Sequence, residues 1–161
     1  EIDNLELNVK NLIILDENSP NGTQVANVRV TNSIQTILDS TNRTLIELRF
    51  KLLTCNDTFT INQETGEIRV LDSRKLDYEQ IKELFVNIEC IEINRLHEPK
   101  IKTRKGSINM LVKLRNLNDN PIEFHLPKYE YSIEENLRNL PHDLNGKLIQ
   151  INDPDLNDGS N

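Results

Sequence analysis

An all-β sandwich is the fold class this sequence predicts, and three observations predict it. Apolar residues alternate with polar ones over short runs, no apolar stripe of helical period persists, and turn-forming clusters separate the runs. The hydrophobic content is 36% and the aromatic content 4%, without a single Trp, so the core is thin and built from Ile, Leu and Val.

The expected strands, in order, are Leu5 to Leu15, Gln24 to Val30, Leu45 to Leu53, Phe59 to Ile61, Ile68 to Val70, Leu84 to Ile93 and Gly106 to Leu114. In the sixth, Leu84, Val86, Ile88 and Cys90 share one face while Phe85, Asn87, Glu89 and Ile91 share the other. Ile108, Met110, Val112 and Leu114 alternate in the same way. Reversals are expected at Ser19-Pro20-Asn21-Gly22 and at Asn62-Gln63-Glu64-Thr65-Gly66, because Asn and Gly accept positive φ. Lys75 to Glu83 reads as a loop between strands, with one helical turn as the alternative. Seven short strands fill one sandwich.

After Arg115 the texture changes to Asn116-Leu117-Asn118-Asp119-Asn120-Pro121, a polar run closed by a residue with no backbone N–H. We read a first domain over 1–115, a linker over 116–121 and the opening of a second domain over 122–161. Tyr129 to Glu134 and Lys147 to Ile151 read as its strands. The second part echoes the first: Glu17-Asn18 followed by Asn21-Gly22-Thr23 returns as Glu135-Asn136 followed by Asn145-Gly146-Lys147.

Charge excludes one function class. The formal net charge is −7, and the basic run Lys100 to Lys105 is interrupted by Ile101 and Thr103, so no cationic surface for phosphates is present. No stretch has the roughly 18 consecutive apolar residues of a membrane helix, so no membrane insertion by this segment is expected. Sequons at Asn21, Asn42 and Asn56 suit an extracellular glycoprotein.

The acidic and amide residues cluster in motifs: Glu17-Asn18, Asp77-Tyr78-Glu79, Asn118-Asp119-Asn120-Pro121 with Phe124, Glu135-Asn136, and Asp153-Pro154-Asp155 with Gly159 and Asn161. Such oxygen-only sets suit Ca²⁺, which takes six to eight oxygen ligands in irregular geometry. A transition metal favours His or Cys, whereas His97, His125 and His142 lie scattered away from these motifs.

Together with Phe59-Thr60-Ile61-Asn62 and Thr65-Gly66-Glu67-Ile68-Arg69-Val70, these motifs resemble cadherin extracellular repeats, and the resemblance covers nearly the whole chain. It implies a seven-stranded Greek-key sandwich, one complete repeat plus the start of a second. It also implies Ca²⁺ bound where the repeats meet. Glu17, Asp77, Glu79 and Asp119 would hold a first ion. Glu17 and Glu79 would be shared with a second, beside Asn116, the Leu117 carbonyl, Asp119 and Asp155. Asn118, the Asn120 carbonyl, Asp153, Asp155 and the Asn161 carbonyl would hold a third. Asn116 stands where the family usually has Asp, and Tyr78 where it usually has Arg. The carboxylates of Glu17, Asp77, Glu79, Asp119, Asp153 and Asp155 would repel one another without cations, so an ion-free linker is expected to be mobile and a filled one stiff.

Departures from the family pattern carry information. Val30-Thr31-Asn32-Ser33 lacks the paired acids of a repeat that accepts calcium from above, and Cys90 stands where such a repeat has Asp, so the upper end of the first repeat is expected to be calcium-free. Without Trp, the family's Trp-swapping adhesion does not apply. Asp16-Glu17-Asn18 to Asn21-Gly22-Thr23, then Thr44-Leu45-Ile46-Glu47-Leu48 and Cys90, loosely resemble the first repeat of the tip-link protocadherin group. In the expected topology Cys55 and Cys90 lie near opposite ends of the sandwich, roughly 20 Å or more apart, so no bond between them is expected.

The function implied is calcium-dependent adhesion or mechanical linkage at the cell surface, in the ectodomain of a single-pass plasma-membrane protein whose partner is another cadherin-type ectodomain. The alternative is a secreted or receptor ectodomain for signalling or ligand capture with purely structural calcium. Catalysis is not expected. Glycoside hydrolysis by paired acids needs aromatic stacking surface that four Phe and three Tyr do not supply, and no nucleophile elbow, phosphate loop or zinc motif occurs.

Overall fold

The computed structural model describes residues 4–33, 45–96, 101–125, 127–128, 135 and 151–156. The chain divides into two compact units, Glu1–Asn116 and Leu117–Asn161.

The first unit is a two-layer sandwich whose strands are β1 (Leu7–Asn8), β2 (Leu12–Asp16), β3 (Gln24–Asn27), β4 (Arg29–Val30), β5 (Ile46–Leu52), β6 (Phe59–Ile61), β7 (Glu67–Val70), β8 (Glu83–Asn94) and β9 (Lys102–Arg115). These are the seven expected runs with two of them broken. One layer has the order β2-β9-β8-β5. The other combines β3-β7-β6 with the β1-β4 pair, β3 and β4 being one run interrupted at buried Val28. Among the described residues all pairings are antiparallel except β2 with β9.

The run expected as a single strand from Leu5 to Leu15 is split, and the split closes the sandwich. Its inward residues, Leu5, Leu7, Val9, Ile13 and Leu15, lapse at exposed Asn11. Before the lapse the chain pairs with β4 in one layer; after it, with β9 in the other. One strand thereby stitches both sheets together.

Period-two alternation places the core. Leu84, Val86, Ile88 and Cys90 of β8 join Met110, Val112 and Leu114 of β9 and, from the other layer, Phe59, Ile68 and Val70 in one cluster. Full burial of each such aliphatic side chain is worth about 1.5 to 3 kcal/mol. Gly66 closes the β6–β7 turn at φ +73°, where its amide donates to the Asn62 carbonyl at 3.0 Å, and a Cβ there would collide with the Val28 carbonyl oxygen.

Lys75 to Glu83 begins within a single 3₁₀ turn over Ser73–Lys75, continues as loop, and Glu83 already pairs with Lys113 as the first residue of β8. Cys55 and Cys90 are free thiols. The Cys55 Sγ donates to the Phe85 carbonyl at 3.4 Å, and the strand from Phe85 to Cys90 spans about 17 Å.

In the second unit, β10 (Glu123–Phe124) pairs antiparallel with β11 (Ile151–Asn152), and a 3₁₀ turn over Pro154–Leu156 comes next. The strand expected at Tyr129 to Glu134 and most of that at Lys147 to Ile151 lie outside the described residues. Among the described residues no helix is long and apolar enough to cross a membrane.

Candidate metal centre

Glu17 continues the inward phase of Ile13 and Leu15 one step past the end of β2. Its amide donates to the Arg115 carbonyl at 3.2 Å, extending the β2–β9 ladder, and the carboxylate turns into the unit, leaving the residue 2% exposed. Asn18 then reverses the chain at φ +56°, its amide bonded to the Leu76 carbonyl at 2.9 Å. The Ser19 hydroxyl donates to the Asp16 carbonyl at 2.6 Å and secures the turn.

The opposing loop is as closely determined. Asp72 caps the 3₁₀ turn, its carboxylate accepting from the Arg74 amide at 3.1 Å, and fully buried Leu76 anchors the loop that comes after it. The Asp77 carbonyl accepts from the Ile81 amide at 2.9 Å, curling Asp77-Tyr78-Glu79 so that both acids project together. The Tyr78 amide donates to Glu17 Oε2 at 2.8 Å. Carboxylate oxygens of Glu17, Asp77 and Glu79 all lie within 4.8 Å of one another.

Two polar groups at the rim shape this set. The Arg115 guanidinium grips Asp16 in a two-pronged hydrogen bond, holding that carboxyl below its usual pKa range. Gln80 donates its side-chain amide to Asp77 Oδ2 at 2.6 Å. Glu17 is buried, Asp77 half-buried and Glu79 exposed, so the set opens to solvent on the Glu79 side.

The second unit gathers its own acids. Buried Asp155 accepts from the Asn120 amide at 3.0 Å through Oδ2 and from the Asn120 side chain at 2.8 Å through Oδ1. That side chain also donates to Asp119 at 2.9 Å, and the Asp155 amide donates to Asp153 Oδ1 at 3.1 Å. Asn116 is half-buried at the end of the first unit, while Leu117 and Asn118 are exposed at the start of the second. Asn161, Asn136 and Gly159 lie outside the described residues, and Glu135 is exposed. Asn120 was expected to act only through its carbonyl; its side chain ties Asp119 to Asp155.

At the far end of β9 the first unit is built differently. Glu92, 1% exposed, is held by Arg104 through two bonds of 2.8 and 2.9 Å. Arg104 also donates to the Asn32 carbonyl at 3.2 Å, and the Asn32 side chain donates to the Asn4 carbonyl at 2.9 Å. A guanidinium and an amide occupy the region of Thr31-Asn32-Ser33, about 36 Å along β9 from Arg115.

No family model matches the chain. Among curated proteins it is similar to the Desmocollin 2-like protein of Danio rerio, 32% identical over 126 residues, covering 78% of this chain and 12% of that protein. Cadherin-related hmr-1 of Caenorhabditis elegans is 28% identical over 88 residues, covering 55% of this chain and 3% of that protein. Protocadherin Fat 1 of Homo sapiens is 31% identical over 107 residues, covering 66% and 2%. The chain thus spans at most 12% of the length of these relatives. Among solved structures, mouse Cadherin-23 EC22-24 superposes with a TM-score of 0.53 at 25% identity, covering 77% of this chain and 36% of that one. The human Desmocollin-1 ectodomain shares the fold at a TM-score of 0.62 and 21% identity, covering 91% of this chain and 25% of that one. With motif order, sandwich topology and relatives in agreement, the chain belongs to the cadherin extracellular repeats.

Proposed function

We propose that the chain is part of a calcium-dependent adhesive or force-bearing ectodomain, in which Ca²⁺ stiffens the junction between repeats. The observation that carries this reading is the convergence of Glu17, Asp77 and Glu79 within 4.8 Å. Three carboxylates so close repel by roughly 1 to 3 kcal/mol per pair before salt screening. A hard divalent cation that accepts several oxygens converts that repulsion into attraction.

The donor chemistry fits. Every group of the set is an oxygen, Glu17 is buried deeply enough to be weakly screened, and neither thiol belongs to it. Glu17, Asp77 and Glu79 would supply the first repeat's share of the ligands. Asn116, Leu117, Asn118, Asp119, Asn120, Asp153, Asp155 and Asn161 would supply the remainder, with Leu117, Asn120 and Asn161 contributing carbonyls. Bound calcium would supply positive charge, and the residues of the chain would supply orientation. A junction held in this way transmits force, and an ion-free one flexes.

The reading makes protein contact, not catalysis, the activity, with another cadherin-type ectodomain as partner and the extracellular side of the plasma membrane as the place. Beads coated with the chain test it against a receptor or secreted module whose calcium is only structural. Clumping in calcium that disappears with chelator supports adhesion. Calcium-bound beads that stay dispersed against themselves and against cadherin-coated beads would move the function to signalling or ligand capture.

A further inference from the structure

We propose that Asn56 carries an N-linked glycan whose first sugar ring seats in the cleft between β5 and β6 and covers the open edge of the sandwich. This site rests on the extracellular part of the reading above and not on calcium, since every residue it uses lies within the first unit.

Strand β5 ends the four-stranded sheet and β6 ends the three-stranded one, so both layers are open where these two strands border one cleft. Edge strands present backbone N–H and C=O groups that template pairing with other chains unless something covers them. The Phe50 amide finds a partner across the gap, donating to the Gln63 carbonyl at 2.9 Å. Around that bond lies a cleft of about 190 Å³, with buried Phe50 and Phe59 at its base and exposed Lys51, Thr60 and Gln63 at its rim. Sites for drug-sized ligands hold about 300 to 1,000 Å³, so this one suits a single ring. A pyranose matches the lining, because its C–H face is apolar and its edge carries hydroxyls.

Asn56 stands on the rim of the same cleft. It is exposed, and its side-chain amide has no hydrogen-bond partner among the described residues. Asn21 is placed differently: its Oδ1 accepts from the Ser73 amide at 2.7 Å, and it does not line this cleft. Asn42 lies outside the described residues.

The third residue of the sequon sets the timing. Thr58 is 3% exposed, its hydroxyl donates to Asp57 Oδ1 at 3.1 Å, and its carbonyl accepts from the Leu71 amide at 2.9 Å. A transferase that reads Asn-x-Thr therefore reaches this hydroxyl only before the loop folds, and the sugar is in place while β5 and β6 come together. The transfer joins Asn56 Nδ2 to C1 of an N-acetylglucosamine supplied by a lipid pyrophosphate-linked oligosaccharide. The bond from C1 to the phosphate oxygen breaks, the lipid pyrophosphate leaves with that electron pair, and the amide gives up one proton.

The test uses the 161-residue chain secreted from eukaryotic cells, once with its whole glycan, once trimmed by an endoglycosidase to the first ring, and once as Asn56→Gln. Peptide mass should show N-acetylhexosamine on Asn56 in the first two samples. Hydrogen exchange at the β5 and β6 amides should be equally slow in those two and faster by roughly threefold or more in Asn56→Gln, with β2 and β9 unchanged. Wild type and Asn56→Gln made in bacteria, where no sugar is added, should exchange alike. An unmodified Asn56 peptide overturns the proposal, and so does a sugar that leaves β5 and β6 exchanging as fast as in Asn56→Gln. Bacterial samples that differ would overturn it too, assigning the effect to the Asn56 side chain. Calcium-dependent melting of the same samples reports on the junction separately, so failure of the glycan site and failure of the calcium reading are told apart.

Discussion

The backbone amide of Tyr78 donates to Glu17 Oε2 at 2.8 Å, joining positions 61 residues apart. That bond aims a buried carboxylate at Asp77 and Glu79, and it separates the structural role of Glu17 from its role toward cations. In Glu17→Gln the amide oxygen can still accept from Tyr78 while one negative charge is lost. This variant should melt in chelator at or above the wild-type temperature and bind calcium at least tenfold more weakly. Glu17→Ala leaves the Tyr78 N–H without this acceptor and should cost roughly 1 to 3 kcal/mol even in chelator. Paired melting curves in calcium and in chelator check both.

Replacing Arg104 alone strands Glu92 in the core. Arg104→Met should destabilise the first repeat by about 3 to 5 kcal/mol in urea titration, whereas the double change Glu92→Met with Arg104→Met should recover most of that loss. Neither variant should alter calcium affinity, because the pair sits at the end of β9 remote from Glu17.

Burial pushes the Cys90 thiol up to about 11 from its ordinary 9.0. A group whose pKa is raised on folding adds stability fully present below its unfolded pKa and lost as pH rises through the folded value. Between pH 9 and about 11 the wild type should therefore lose stability faster than Cys90→Ala. The difference between their unfolding curves isolates this thiol from lysines and tyrosines that titrate in the same range.

Gly66→Ala should be among the most destabilising single-methyl additions, since it combines φ +73° with a collision at the Val28 carbonyl. A loss of roughly 1 to 3 kcal/mol in urea titration is expected. Gly22→Ala, at φ +87° but in open space, should cost less.

Much of this architecture is legible in the residue pattern because a strand's period is two. The alternation of Leu84, Val86, Ile88 and Cys90 places β8 and its inward face, and Phe59 to Ile61 coincides with β6 residue for residue. The same alternation, carried one step further, brings Glu92 inward; its pairing with Arg104 stayed hidden because pairing depends on register between strands, which spacing along one strand does not encode. The sheet change at Asn11 was hidden likewise, since polar residues at strand positions do not announce which sheet the next stretch joins. At the site, Asp77 and Glu79 are readable as a motif. That Glu17 is buried comes from extending the phase of Ile13 and Leu15 past the strand end. The tie from Asn120 to Asp155 is a contact across 35 positions, which local sequence does not reveal.

Calcium titration of the wild-type chain, monitored by its melting temperature, tests the central claim most directly. Oxygens of Glu17, Asp77 and Glu79 drawn within 4.8 Å should make the first repeat melt higher as calcium rises, with saturation and reversal by chelator. A melting temperature that does not move across millimolar calcium, in a chain that is otherwise folded, would contradict the account.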